Sequence, residues 1–462
     1  MRENPSQGEK LSFSTQLAYG IADFGPSMAG NILVVFFFFF LTTVAGLPAN
    51  LAGIILLLSN CWSAISTLLV GVLSDRTTCA WGRRRIWMLA SAPILGFSFF
   101  LLWWIPPNQD WLKFGYYLAI TLLFQTAASA FVVPYGALIT DLSDDHNDHL
   151  RLNSMRFGFS LAGCIGSLLL SQLIAHWIYN PRQQLFELGL ICAAFTVVSI
   201  VSSCWKINEH SHTPKSTSSY NWQGIKTILC NQPLLMLIGI YALSWLAVQI
   251  TPAILPYFVI NCLNLNSAVV TQVVLLMQTT ALVSLFIWEP LSKQLGKKKV
   301  FALGSIIWIV AEIGLFYLQP GEYFTMYSLA MVAGVGMSTT YFIPASMLPE
   351  VIDWDELTTG ARREGLFYSI LMFIYQITFA IGLFFVGQWL DWSGFQAAIP
   401  GPIKLIQPHS ALVAIRQAIV ILPTTALIIS LILTYFYPIN SRVHQYTIVK
   451  LKKRRLATST SS

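Results

Sequence analysis

Two acidic residues sit in stretches that otherwise carry no charge: Asp23 in Tyr19-Gly-Ile-Ala-Asp23-Phe-Gly25, and Glu312 in Ile306-Ile-Trp-Ile-Val-Ala-Glu312-Ile-Gly. An ionised carboxyl among apolar neighbours costs a few kcal/mol or more unless it is paired, so such a residue either binds something or packs as a neutral acid. Asp23, about 16 Å into its helix at 1.5 Å per residue, is the candidate to carry a proton, and Glu312 is expected to be a buried neutral carboxyl. A second set mixes charges of both signs. Asp75 stands with Arg83, Arg84 and Arg85, while Glu350 and Asp353 stand with Arg362 and Glu364. Opposite charges of this kind can pair in one conformation and part in another, which is the chemistry of a gate. A third set is neutral: Asn31, Gln125, Tyr135, Tyr241, Trp245, Gln249, Tyr341 and Gln376. Ring faces pack against CH-rich surfaces and amides replace water on hydroxyls, so these residues suit an uncharged, hydroxylated small molecule.

Nothing in the sequence resembles catalytic machinery. There is no nucleophile elbow, phosphate loop or His-x-x-x-His pair, so neither an enzyme nor a resident cofactor is expected. His146 and His149 lie three residues apart in an acidic loop, where a solvated surface is the expectation and no metal site is assigned. The seven cysteines follow no disulfide or zinc spacing and read as packing residues.

The elements that hold these residues follow from composition. Of 462 residues, 55% are apolar and only 10% charged, well below the roughly 25% charge of a soluble domain. A water-facing surface is excluded for most of the chain. Apolar runs of about 20 residues, each enough to cross a bilayer, recur twelve times, among them 155–178 and 324–348. The reading is an all-α integral membrane protein: a six-helix half over 1–205, a polar linker over 206–231, a second six-helix half over 232–437, and a basic tail over 438–462. With both termini placed in the cytoplasm, only Lys113, Arg182, Lys404 and Arg416 of the 27 Lys and Arg fall outside, which is the positive-inside pattern. That bias accounts for the net charge of +7 without a nucleic-acid partner. The polybasic stretch from Lys450 to Arg455 can rest on anionic lipid. A monomer in the plasma (inner) membrane is expected.

The second half echoes the first. Gly71-Val-Leu-Ser-Asp75-Arg76, followed by Gly82-Arg83-Arg84-Arg85, is answered by Glu289-Pro-Leu-Ser-Lys293, followed by Gly296-Lys297-Lys298-Lys299. Pro134-Tyr-Gly-Ala-Leu-Ile-Thr-Asp141 is answered by Pro344-Ala-Ser-Met-Leu-Pro-Glu350. Prolines also interrupt helices 1, 4, 7 and 10, at Pro26, Pro134, Pro252 with Pro256, and Pro344. Broken backbone is tolerated at membrane depth where protein or a water-filled cavity satisfies the freed groups. Repeated halves with interrupted helices are the sequence form of a secondary transporter.

These landmarks resemble the major facilitator superfamily, and within it the glycoside-pentoside-hexuronide:cation symporters, the family of melibiose permease. The resemblance rests on Tyr19 to Gly25, Trp62-Ser-Ala-Ile, Gly71, Asp75, Trp81-Gly-Arg-Arg-Arg85, Pro134-Tyr135, Arg156-Phe-Gly-Phe-Ser-Leu-Ala-Gly163, Leu348 to Leu357, and Arg362-Arg363-Glu364-Gly365-Leu-Phe-Tyr368-Ser. It implies a transporter of a small solute, such as a sugar or glycoside, working by alternating access. It also implies a site-facing or gating Arg156 and a solute-stacking ring at Tyr341. Lysolipid carriers among the relatives of this family make an amphiphile the alternative solute, and a receptor that moves nothing is the third reading. Where family members hold sodium with helix 2 carboxylates, this chain has Ser63 and Thr67. A helix 4 aspartate aligns with Val132, the sugar-binding aspartate of helix 1 with Ser27, and a helix 11 lysine with Gln376. Neutral hydroxyls bind sodium weakly, so the expectation is transport without sodium, with Asp23 as the candidate site for a coupling proton.

Overall fold

The computed structural model describes residues 12–77, 79, 81–106, 110–142, 146–207, 231–359, 364–396, 407–439 and 443–451. Among them are twelve helices long and apolar enough to cross a membrane, and no β-strand. Helix α1 is built in pieces: Phe13–Ile21, a break at Ala22 and Asp23, Phe24–Ile32, then two π-helical turns, Leu33–Phe37 and Phe40–Val44. The next five are α2 (Ala49–Arg76), α3 (Arg85–Leu102), α4 (Asp110–Leu142), α5 (His146–Trp177) and α6 (Pro181–Lys206). After them comes α7 (Gln232–Tyr257), which runs into the π turn Phe258–Cys262. Then follow α8 (Ser267–Leu295), α9 (Lys297–Tyr317), α10 (Tyr323–Thr359), α11 (Glu364–Trp392) and α12 (His409–Phe436). A short helix α13 covers 443–451.

Local chemistry sets many of the ends. Asn180 and Asn231 each accept a backbone N–H of the helix they open, from Arg182 at 3.0 Å and Leu234 at 3.2 Å, and proline follows within two residues. Such caps satisfy donors that have no intrahelical partner. Gly296, at φ 85°, turns the chain between α8 and α9. In α1, Pro26 offers no N–H to the carbonyl of Ala22, so the helix breaks one turn before it. Two helices outrun the expected spans. Helix α5 starts at His146 instead of 155, and α10 continues past 348 to Thr359. Apolar windows register only the part of a helix that lipid surrounds, and these extensions carry polar residues.

The chain forms two compact units, one of residues 12–47 and 58–207 and the other of 48–57 and 231–451. In the first, Trp103 is buried with Phe37, Phe40 and Phe99 edge-on around it at 6.0, 5.1 and 6.0 Å. Glycines bring α1 against the backbones of its neighbours. A Cβ on Gly25 would fall 2.4 Å from Thr196 Cα, and one on Gly163 would fall 2.3 Å from the Phe24 carbonyl oxygen. The second unit has a core from α7 to α12 that includes Tyr241, Trp288, Phe301, Ile343, Leu348 and Phe367. Large apolar side chains such as Phe97, Leu190, Phe286 and Ile287 are exposed. This exterior is what lipid requires of an integral multi-pass protein.

Candidate functional site

In the first unit the break in α1 holds Asp23, whose carboxylate accepts a hydrogen bond from Arg156 Nε of α5 at 3.0 Å. The guanidinium also lies 4.9 Å over the ring of Tyr135 on α4. Tyr135 stacks on Tyr19 at 4.6 Å and on Phe131 at 5.0 Å. The two tyrosine hydroxyls donate to each other's backbone carbonyls, Tyr19 to Tyr135 O at 3.1 Å and Tyr135 to Tyr19 O at 2.9 Å. Broken helix, aromatic stack and ion pair thus fix one another. Both charges stay partly reachable, with side-chain exposures of 13% for Asp23 and 27% for Arg156.

The other residues expected in this unit are spread along the same helices. Asn31 donates to Cys164 O at 3.0 Å and Ser167 Oγ at 3.1 Å, and Ser27 bonds Ser160 at 2.6 Å, which ties α1 to α5. Gln125 is half-buried on α4. Around Ser63 and Thr67 of α2 there is a hydroxyl chain. Ser66 bonds Ser129 of α4 at 2.7 Å, and Thr67 bonds Ser129 at 3.2 Å while donating to Ser63 O at 2.7 Å.

In the second unit the neutral candidates gather. Tyr241, Trp245 and Gln249 recur every four residues and so share one face of α7. The indole of Trp245 meets Tyr341 of α10 at 5.2 Å, Tyr375 of α11 at 5.6 Å and Tyr241 at 6.0 Å, close to perpendicular for the first two. Gln249 donates to the Tyr375 hydroxyl at 3.0 Å. The indole N–H of Trp245 and the side-chain carbonyl of Gln376 are buried without a hydrogen-bond partner. Such groups are costly unless something else satisfies them. Tyr19 and Tyr375 were not singled out from the sequence. Tyr19 stands four residues before Asp23, one turn along the same face, and that spacing was a usable signal. Tyr375 was one of several aromatics on α11 with nothing to distinguish it.

The charged set lies at the helix ends. Arg84 donates to Ser74 Oγ at 2.9 Å and Arg85 to Cys204 O at 2.5 Å, while Arg83 is half-buried. In the second unit Glu350 pairs with Lys297 at 2.6 Å, and Asp353 meets His444 of α13 at 3.2 Å. Arg362 and the side chains of Asp75 and Glu364 lie outside the described residues. No group of three or more metal-ligating side chains occurs among the described residues.

Of the helices expected to be interrupted at proline, only α1 is broken, while α4, α7 and α10 run continuously through Pro134, Pro252 with Pro256, and Pro344. Twelve membrane helices in two compact units, carrying polar and aromatic clusters, define a polytopic membrane transporter. The chain belongs to the family described as MFS/sugar transport protein, which it matches over residues 18–441. It is 38% identical to an uncharacterized symporter of Synechocystis, over 97% of this chain and 98% of that one. It is also similar to a sodium-dependent lysophosphatidylcholine symporter of Xenopus tropicalis, at 23% identity over 95% of this chain and 89% of the relative. A glucuronide carrier protein homolog of Escherichia coli is 23% identical over 97% of each chain.

Proposed function

We propose that this protein moves a neutral, hydroxylated solute of sugar or glycoside type across the plasma membrane by alternating access, as a monomer with both termini in the cytoplasm and without sodium. The observation that carries the reading is the pairing of Arg156 with Asp23 at 3.0 Å. The one cation among the candidate ligands of the first unit is answered by a carboxylate, so that cluster offers hydrogen bonds without net charge. The second unit supplies ring faces around Trp245 and an indole N–H with no partner of its own. Together these groups favour a molecule with apolar CH faces and hydroxyl edges.

Coupling in this reading falls to a proton at Asp23 or is absent. Arg156 holds one oxygen of Asp23 and favours its carboxylate form, so in this reading proton uptake and weakening of the pair are linked. The hydroxyl chain of Ser66, Thr67 and Ser129 is neutral and internally bonded, which leaves sodium little to bind. The charged helix ends, Asp75, Arg83 to Arg85, Glu350, Asp353, Arg362 and Glu364, are assigned to a cytoplasmic gate. An amphiphile as solute is the second reading, favoured by the similarity to the lysophosphatidylcholine symporter.

Thermal stabilisation of the purified chain by sugars, glycosides, polyols and lysophosphatidylcholine separates the two, since a ligand at about 100 times its Kd adds about 2.7 kcal/mol. The stabilising compound is then followed into proteoliposomes with sodium replaced by choline, with an imposed proton gradient, and in Asp23→Asn. Stabilisation by the lysolipid alone would replace the sugar reading. A sodium requirement would remove the coupling assignment. Proton-driven accumulation that survives in Asp23→Asn would clear Asp23.

A further inference from the structure

Outside both clusters, one acidic side chain among the described residues is fully enclosed. Glu312 of α9 is 0% exposed. Its Oε1 accepts hydrogen bonds from Thr251 Oγ1 of α7 and from Trp308 Nε1, each at 2.9 Å. Its Oε2 has no partner. That oxygen belongs to a residue lining a small cavity shared with Leu255, Phe258, Met277, Leu315 and Ala333, with room for about one water molecule.

The surroundings hold no countercharge. Every other residue lining the cavity is uncharged, on α7, α8, α9 and α10 alike. Three titratable groups on the neighbouring helices have partners elsewhere. Arg416 of α12 donates to Phe316 O at 3.2 Å, Tyr327 of α10 bonds Gln272 of α8, and Tyr257 of α7 packs on Phe395 at 5.5 Å. Two neutral donors on one oxygen solvate half of a carboxylate, and an ion with its other half bare in an apolar membrane interior is costly. A carboxylic acid meets the same contacts without that cost. With Oε1 already accepting twice, the proton belongs on Oε2, the oxygen without a partner.

The position of Thr251 gives this acid a lever. Thr251 precedes Pro252, and Pro256 follows one turn later, so α7 lacks two backbone N–H groups at this level and then enters the π turn at Phe258. Helices bend where such bonds are missing. We infer that Glu312 is a proton-binding site whose occupancy is linked to bending of α7 at Pro252, the proton passing between Oε2 and a water in the cavity. Loss of the proton leaves a carboxylate that needs more water than the cavity admits, which favours movement of α7 away from α9. Rebinding restores the closed packing. The site is separate from Asp23, which lies in the other unit, and stands whatever solute is carried.

The test uses the full chain in lipid nanodiscs with no solute. Difference infrared spectroscopy should show a protonated-carboxyl C=O band that exchanges in D2O, fades as the pH is raised, and is missing in Glu312→Gln. The amide keeps the shape and can accept from Thr251 and Trp308, so this variant should fold. Thr251→Val, which removes one bond to the group, should shift the band to higher frequency. Spin labels at Leu243→Cys and Ile260→Cys, on either side of Pro252 in a background without native cysteines, should change their separation over the same pH range in wild type and not in Glu312→Gln. A band that neither exchanges nor titrates would overturn the proton site, leaving Glu312 as packing. A label separation that ignores pH would overturn its link to α7.

Discussion

The cluster of the first unit and that of the second are placed by the same device and filled with opposite chemistry. Helices α1 and α7 each carry proline and each finish in π turns, although α1 breaks at Ala22 and Asp23 while α7 runs unbroken through Pro252 and Pro256. At the break of α1 stands an ion pair, Asp23 with Arg156, backed by stacked tyrosines. On the face of α7 stands a box of rings around Trp245, with one amide bonded to Tyr375. A charge pair responds steeply to water and to geometry, whereas a ring box offers area and shape. In the proposed function, the comparison gives switching to the first cluster and holding of the solute to the second, a division that the variants below test.

Removing half of the ion pair is the most severe way to test that division. Arg156→Ala leaves a half-buried Asp23 without its partner, so the melting temperature should drop, and with the switching pair gone transport should fall by about 100-fold, about 2.7 kcal/mol. Asp23→Asn combined with Arg156→Gln should regain most of the melting temperature while transport stays impaired, because no lone charge remains. Full recovery of transport in the double variant would show that the pair only packs. In the other cluster, Trp245→Ala should weaken solute binding by about 30-fold, close to 2 kcal/mol, as read by titration calorimetry. A loss of rate with unchanged affinity would move Trp245 out of the holding role.

Two smaller effects sharpen the same contrast. Arg84→Ala removes a bond to Ser74 at a helix end, and should slow transport about 10-fold, with binding changed by less than about twofold, as expected of a gate. Equal losses in both measurements would argue against gating. Tyr375→Phe keeps the ring and discards the hydroxyl that Gln249 reaches. Affinity should drop about fivefold, near 1 kcal/mol for a single neutral hydrogen bond, and an unaltered titration would limit Tyr375 to packing.

The helices were legible because lipid demands long apolar runs, and the twelve expected spans correspond to the twelve helices seen. What lipid does not touch was less visible, as the polar extensions of α5 and α10 show. The π turns escaped notice for another reason. They add a residue to a turn without changing composition, so Phe258–Cys262 reads like the helix before it. Among the site candidates, Asp23 was visible as a charge out of place and Arg156 through the family resemblance, but no spacing could reveal a bond between residues so distant in sequence. Tyr241, Trp245 and Gln249 were easier, since a period of four puts them on one face. Tyr375 was hidden among neighbouring aromatics, and only folding brings its ring to Trp245.

The glycines that seat α1 against α5 and α6 carry a mechanical consequence. At Gly25 and Gly163 the gap between neighbouring backbones is smaller than a methyl group, and a joint of that kind has no slack. Sliding one helix along another would drive the Cβ atoms on either side of each glycine into the facing chain, so shear is resisted even though no covalent bond crosses the seam. Helices α1, α5 and α6 should then travel as one stiff wedge, and a force applied at the extended end of α5 would arrive at Asp23 nearly undamped.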